Sequence, residues 1–99
     1  MVLLSTAVLA MASFGTACGG GKTAVSPACS FNVNSVLTIR RFGEKTTEQT
    51  AARNSLAACH SRAEWIQAAR NHPEALGSAD PNTLLDDYCA EAGSGEPCK

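Results

Sequence analysis

The chain has 99 residues, a net charge of −1, 17% charged side chains and five cysteines, which bounds it to one small domain. A charge this close to zero argues against the broad basic face that nucleic-acid binding needs; Arg40-Arg41 beside Phe42 is the one local hint of such a face. Charge is nonetheless uneven along the chain: residues 22–70 hold seven basic and three acidic side chains, whereas residues 71–99 hold six acidic side chains and Lys99. In a domain this small, the two parts are expected to pack together and neutralise each other.

Residues 1–17 read as a signal peptide. The apolar run from Val2 to Phe14 is uncharged, shorter than the roughly 20 residues a spanning helix needs, and ends in small residues. It departs from the usual pattern in opening Met1-Val2-Leu3-Leu4 without a Lys or Arg. Gly15-Thr16-Ala17-Cys18 then resembles the lipobox of bacterial lipoproteins, with Gly15 standing where Leu, Val or Ile is expected, and Gly19-Gly20-Gly21 resembles the tether that follows a lipidated Cys. The resemblance implies acylation of Cys18, palmitate-type chains included, and a membrane anchor on the extracytoplasmic face, with residues 18–28 as lipidated Cys and tether. Parity argues the same way, since five cysteines in an exported chain leave one over and Cys18 sits beside the cleavage-type sequence. Ordinary cleavage after Ala17 is the alternative, and it would give a secreted protein.

The remaining domain, residues 29–99, is expected to be mainly α, a small disulfide-stabilised arrangement of three or four short helices. Phe31, Val33, Leu37 and Ile39 alternate as in a strand, but nothing else in the chain reads as β. The preferred reading is therefore a short helix from Ser35, with Val36, Ile39 and Phe42 along one side and Gly43 as its stop. Thr46-Thr47-Glu48-Gln49 has a capping-box pattern and predicts a helix over 47–59, with Ala52, Leu56 and Cys59 facing inward. Ser61-Arg62-Ala63-Glu64 is a second such box; its helix would bury Trp65, Ile66 and Ala69 and end at Pro73. Asp80-Pro81 opens the last helix, whose apolar stripe is Leu84, Leu85, Tyr88 and Cys89, and residues 90–97 read as loop.

So small a core needs a staple, and Cys29, Cys59, Cys89 and Cys98 supply two disulfides. Of the three connectivities, the preferred one joins Cys59 to Cys89 across Trp65 and Ile66, leaving Cys29 to tie the domain's ends through Cys98. The competing scheme joins Cys29 to Cys59 and Cys89 to Cys98, with both loops local.

Metal, redox and haem chemistry all lack their spacing: no C-x-x-C occurs, and the cysteine intervals of 30, 30 and 9 do not make close ligand pairs. His60 and His72 read as surface or capping residues. Asp86 and Asp87, consecutive on a helix, diverge by about 100° and suit no shared acid and base role. No G-x-S-x-G positions a serine, so catalysis is not expected, nor is a cofactor or metal. Expected partners are the membrane, through the lipid, and an envelope protein or cell-wall component, with the chain monomeric and without nucleic acid. The segment Cys59-His60-Ser61-Arg62-Ala63-Glu64-Trp65, continuing through His72-Pro73-Glu74-Ala75-Leu76-Gly77 to Cys89 and Cys98, resembles small exported four-cysteine proteins of high-GC Gram-positive bacteria. That resemblance implies a disulfide-framed helical unit and suggests no activity.

Overall fold

The structure, a computed structural model, describes residues 23–99, so the expected signal peptide and Cys18 lie outside the described residues. Five helices are described: α1 (Pro27–Phe42), α2 (Lys45–Ala58), α3 (Arg62–Arg70), the single turn α4 (Pro73–Leu76) and α5 (Pro81–Ala92), followed by a 3-10 turn at Glu96–Cys98. No strand occurs among the described residues. The fold is thus the disulfide-stabilised helical domain read from the sequence, with one helical turn more than the three or four helices expected.

α1 begins well before the expected Ser35. Ser26 caps it, its hydroxyl accepting from the Cys29 N–H at 3.2 Å, and Pro27 occupies the first helical position, where a missing N–H leaves no bond unmade. The apparent strand alternation is overridden because Cys29, Val33, Val36 and Leu37 recur at helical spacing and are all fully buried. Phe42, expected on the inner side with Val36 and Ile39, is instead 78% exposed. At 100° per residue it falls opposite Val33 and Leu37, because the buried stripe of the full helix is centred on those residues and not on Ile39.

The two residues Gly43 and Glu44 turn the chain into α2, making a helical hairpin. Gly43 allows a close approach: a Cβ there would meet the Ile39 carbonyl oxygen at 2.8 Å and the Ile39 side chain at 2.7 Å. α2 starts at Lys45, with Glu44 at the cap position and no side-chain cap bond, so Thr46 and Thr47 lie inside its first turn and the expected capping box is not formed. Its inner face is as read, with Ala52, Leu56 and the flanking Cys59 buried, and Ala51 and Ser55 join them.

The hairpin explains which cysteines meet. Cys29 lies near the start of α1 and Cys59 just beyond the end of α2, at nearly equal distances from the turn, so antiparallel packing brings their Cα atoms to 4.6 Å and they are bonded. The last helix ends at Gly93, whose φ of 75° reverses the chain, and Cys98 returns to Cys89 with Cα atoms 5.5 Å apart. The preferred pairing of Cys59 with Cys89 and Cys29 with Cys98 is therefore overturned in favour of the local scheme. That preference took the inward stripes of two helices as neighbours and omitted the short connection that pairs α1 with α2.

Trp65 of α3 sits fully buried at the centre of the core, in edge contact with Tyr88 of α5 at 6.1 Å between ring centroids. Its indole N–H donates to Ser55 Oγ at 3.1 Å, and that hydroxyl donates in turn to the Ala52 carbonyl at 2.8 Å. α3 stops at Arg70 and not at Pro73, which instead opens α4 at its first helical position. Asp80 caps α5 as expected, its carboxylate accepting from the Thr83 N–H and hydroxyl, both at 3.0 Å. α5 runs on to Ala92 through residues expected to be loop. Beyond it, Gly95 (φ 139°) passes so close to α2 that a Cβ would meet the Leu56 carbonyl oxygen at 2.8 Å, which seats the C-terminal turn against the core.

Candidate functional site

Among the described residues, Glu64 is the one buried carboxylate, and its partners show what it does. Ser61 caps α3 as read, accepting from the Glu64 N–H at 3.0 Å. The Glu64 carboxylate does not complete the box on Ser61. One oxygen accepts from the His60 N–H and lies 3.1 Å from His60 Nδ1, while the other accepts from the Ser26 N–H at 2.8 Å. Burial pushes its pKa up, but the backbone N–H groups of His60 and Ser26 outweigh that and hold the carboxyl down at about 2. Glu64 thereby ties the start of α1 to the start of α3, beside the Cys29–Cys59 bond. Every hydrogen bond it makes favours a fixed anion, which suits a structural clamp and not a proton-transfer group.

The other titratable side chains are similarly occupied. His60 is exposed apart from its Glu64 contact, and His72 Nε2 lies 3.1 Å from Ser30 Oγ. Asp86 accepts from Arg62 at 2.8 Å, while Asp87 is a separate exposed group. Tyr88 donates its hydroxyl proton to Glu48 at 2.9 Å; burial, and then that bond to a carboxylate, push its pKa up. Among the described residues, no group of three or more His, Cys, Asp or Glu could hold a metal. Cys29, Cys59, Cys89 and Cys98, read as disulfide residues, are all spent on one another.

What remains open is one side of α1. Arg40, read with Arg41 and Phe42 as a single basic hint, is turned partly inward, and its guanidinium donates to the Leu76 carbonyl at 3.0 Å. Arg41 lies over the Phe42 ring, its Cζ 5.3 Å from the centroid, and donates to the Glu74 carbonyl. Beside them runs a shallow groove of about 690 Å³ lined by Asn34, Thr38, Phe42, Asn71, His72 and Glu74. Phe31, 72% exposed, stands farther along the same helix. The sequence showed Arg41 and Phe42 but not Phe31, whose place opposite the core is apparent only once the helix is started at Pro27.

No protein-family model matches the chain, and neither the curated proteins nor the solved structures compared with it give a match. Among the described residues, no helix is long and apolar enough to cross a membrane.

Proposed function

We propose that the chain is an envelope lipoprotein, held on the extracytoplasmic face of the cell membrane by acylation of Cys18, whose helical domain is a non-catalytic interaction module. The observation that carries this reading is the cysteine pairing. Cys29, Cys59, Cys89 and Cys98 take one another as partners, so none of them is available to Cys18, and lipidation accounts for the fifth sulfur. Two disulfides in so small a domain accord with an oxidising compartment. The non-catalytic part of the reading is supported by Glu64, the buried carboxylate, whose hydrogen bonds go to holding helix ends. The partner is an envelope protein, a cell-wall component or the membrane itself.

Mass spectrometry of the mature N-terminus tests the anchor. The expected species begins at Cys18 and carries a diacylglyceryl group. A chain beginning at Cys18 with an unmodified thiol would overturn it. That result would favour the secreted alternative, a small effector or inhibitor, which Gly15 and Ala17 support because they also satisfy the small-residue requirement of ordinary signal peptidase.

A further inference from the structure

The outward side of α1 is where the described fold leaves its large apolar groups in water: Phe31 is 72% and Phe42 78% exposed. Eleven positions apart, they return to within about 20° of each other around the helix and stand about 16 Å apart along it, with Ser35 and Thr38 between them on the same stripe. A core-facing role is excluded for both rings, since the buried residues Val33, Val36 and Leu37 occupy the opposite side.

Charge distinguishes this helix from the others. Alone among the five described helices, α1 contains no acidic residue, and it ends in Arg40 and Arg41. Arg41 is exposed beside Phe42, where it adds a cation to the end of the apolar stripe. Acids border this end without entering the stripe: Glu44 follows Phe42 by two residues, Glu74 lies at the rim of the neighbouring groove, and Glu48, Asp87 and Glu91 line a pocket with Arg40. α5 packs on α2 and α3 and not on the outward side of α1. Along the stripe itself, an anionic surface meets two rings and a guanidinium and no carboxylate.

Position in the chain supplies the rest. Eight residues separate Cys18 from Pro27, and their one charged side chain is Lys22. Fully extended, such a tether reaches at most about 30 Å, comparable to the length of α1 itself, about 24 Å.

We propose that the stripe from Phe31 to Phe42 is a membrane-docking face. Its two rings enter the headgroup boundary of an anionic bilayer while Arg41 meets lipid phosphate, laying α1 along the surface. This rests on the lipid-anchored reading, which supplies the proximity; the rings and the cation supply the orientation.

The test uses the full chain, exported by a bacterial host and mixed with phosphatidylglycerol–phosphatidylcholine vesicles. The native thiols of the domain are paired, so a nitroxide can be placed at Thr38→Cys on the stripe or at Asn82→Cys on α5. Docking predicts that vesicles shield the label at position 38 from a water-soluble paramagnetic reagent at least about fivefold more than the label at position 82. Pure phosphatidylcholine vesicles should give less shielding. Phe31→Ser with Phe42→Ser should abolish it while leaving the circular dichroism unchanged. Equal exposure of the two labels overturns the proposal, as does shielding that survives the double substitution. Shielding at position 38 without vesicles also overturns it, and would assign the face to a protein partner. The N-terminal mass of the same preparation reads the anchor separately: a lipid on Cys18 with position 38 unshielded sinks the docking face alone, and shielding without a lipid sinks the anchor alone.

Discussion

The bridge between Cys29 and Cys59 closes a span of 30 residues at the open end of a helical hairpin, whereas that between Cys89 and Cys98 spans nine around a chain reversal. Cys29 and Cys59 are buried within the core beside the Glu64 clamp; Cys89 and Cys98 are half-buried and pack against its edge. The first bond therefore joins elements distant in sequence that also share a hydrogen-bonded anion. The second fastens a short tail whose position is already favoured by Gly93 and by the contact of Gly95 with α2. Bonds of one chemistry should thus differ in what their loss does to the molecule.

Removing the first bridge, with Cys29→Ser and Cys59→Ser, should have the largest effect. Loop entropy alone gives about 3.7 kcal/mol, and two hydroxyls are left in an apolar site. Urea unfolding should show the domain largely unfolded without denaturant.

Next comes Glu64. Its pKa in the fold, about 2, lies below the ordinary 4.5, so the unfolded chain takes up the proton first as pH falls. The stabilisation from this group is full above about pH 5 and is lost as pH drops toward 2, on the order of 3 kcal/mol in all. Glu64→Gln should remove most of that acid dependence and lower stability at neutral pH, which melting curves recorded across the range would show. If the acid dependence persists in the Gln variant, the clamp is not its source.

Cys89→Ser with Cys98→Ser should cost less, about 2.7 kcal/mol by the same loop estimate. Hydrogen exchange should locate the loss in residues 93–99, with α1 and α2 keeping their protection. Smallest is Ser55→Ala, which leaves the Trp65 N–H without its acceptor and should lower stability by about 2 kcal/mol in urea unfolding. Should the two double-cysteine variants prove equally destabilised, the distinction between a framing bond and a fastening one would be lost.

Local signals in the sequence were read well where one residue pair decided the outcome. Ser61 and Asp80-Pro81 start helices because a short side chain can accept an orphan N–H, and that depends on little beyond a few neighbours. Thr46-Thr47 carries an equally good signal and fails, because the hairpin turn at Gly43 and Glu44 lets α2 begin earlier. Pro73 has the signature of a stop and is a start, the same ring serving either purpose according to which side the helix lies on. The cysteine pairing was not legible at all from inward-facing stripes, since it is fixed by which helices pack side by side. Ser55 and Glu64 illustrate the same limit. Nothing in their local sequence says that one satisfies an indole ten residues on, or that the other reaches the cap of a helix 38 residues back.

The tie between Glu64 and Ser26 also governs how mechanical load would travel. Tension on the chain preceding Ser26 enters the domain three residues before Cys29, where a covalent bond passes it to the far end of α2. The pull is borne by the bundle as a unit, and α1 is not peeled away turn by turn from its neighbours.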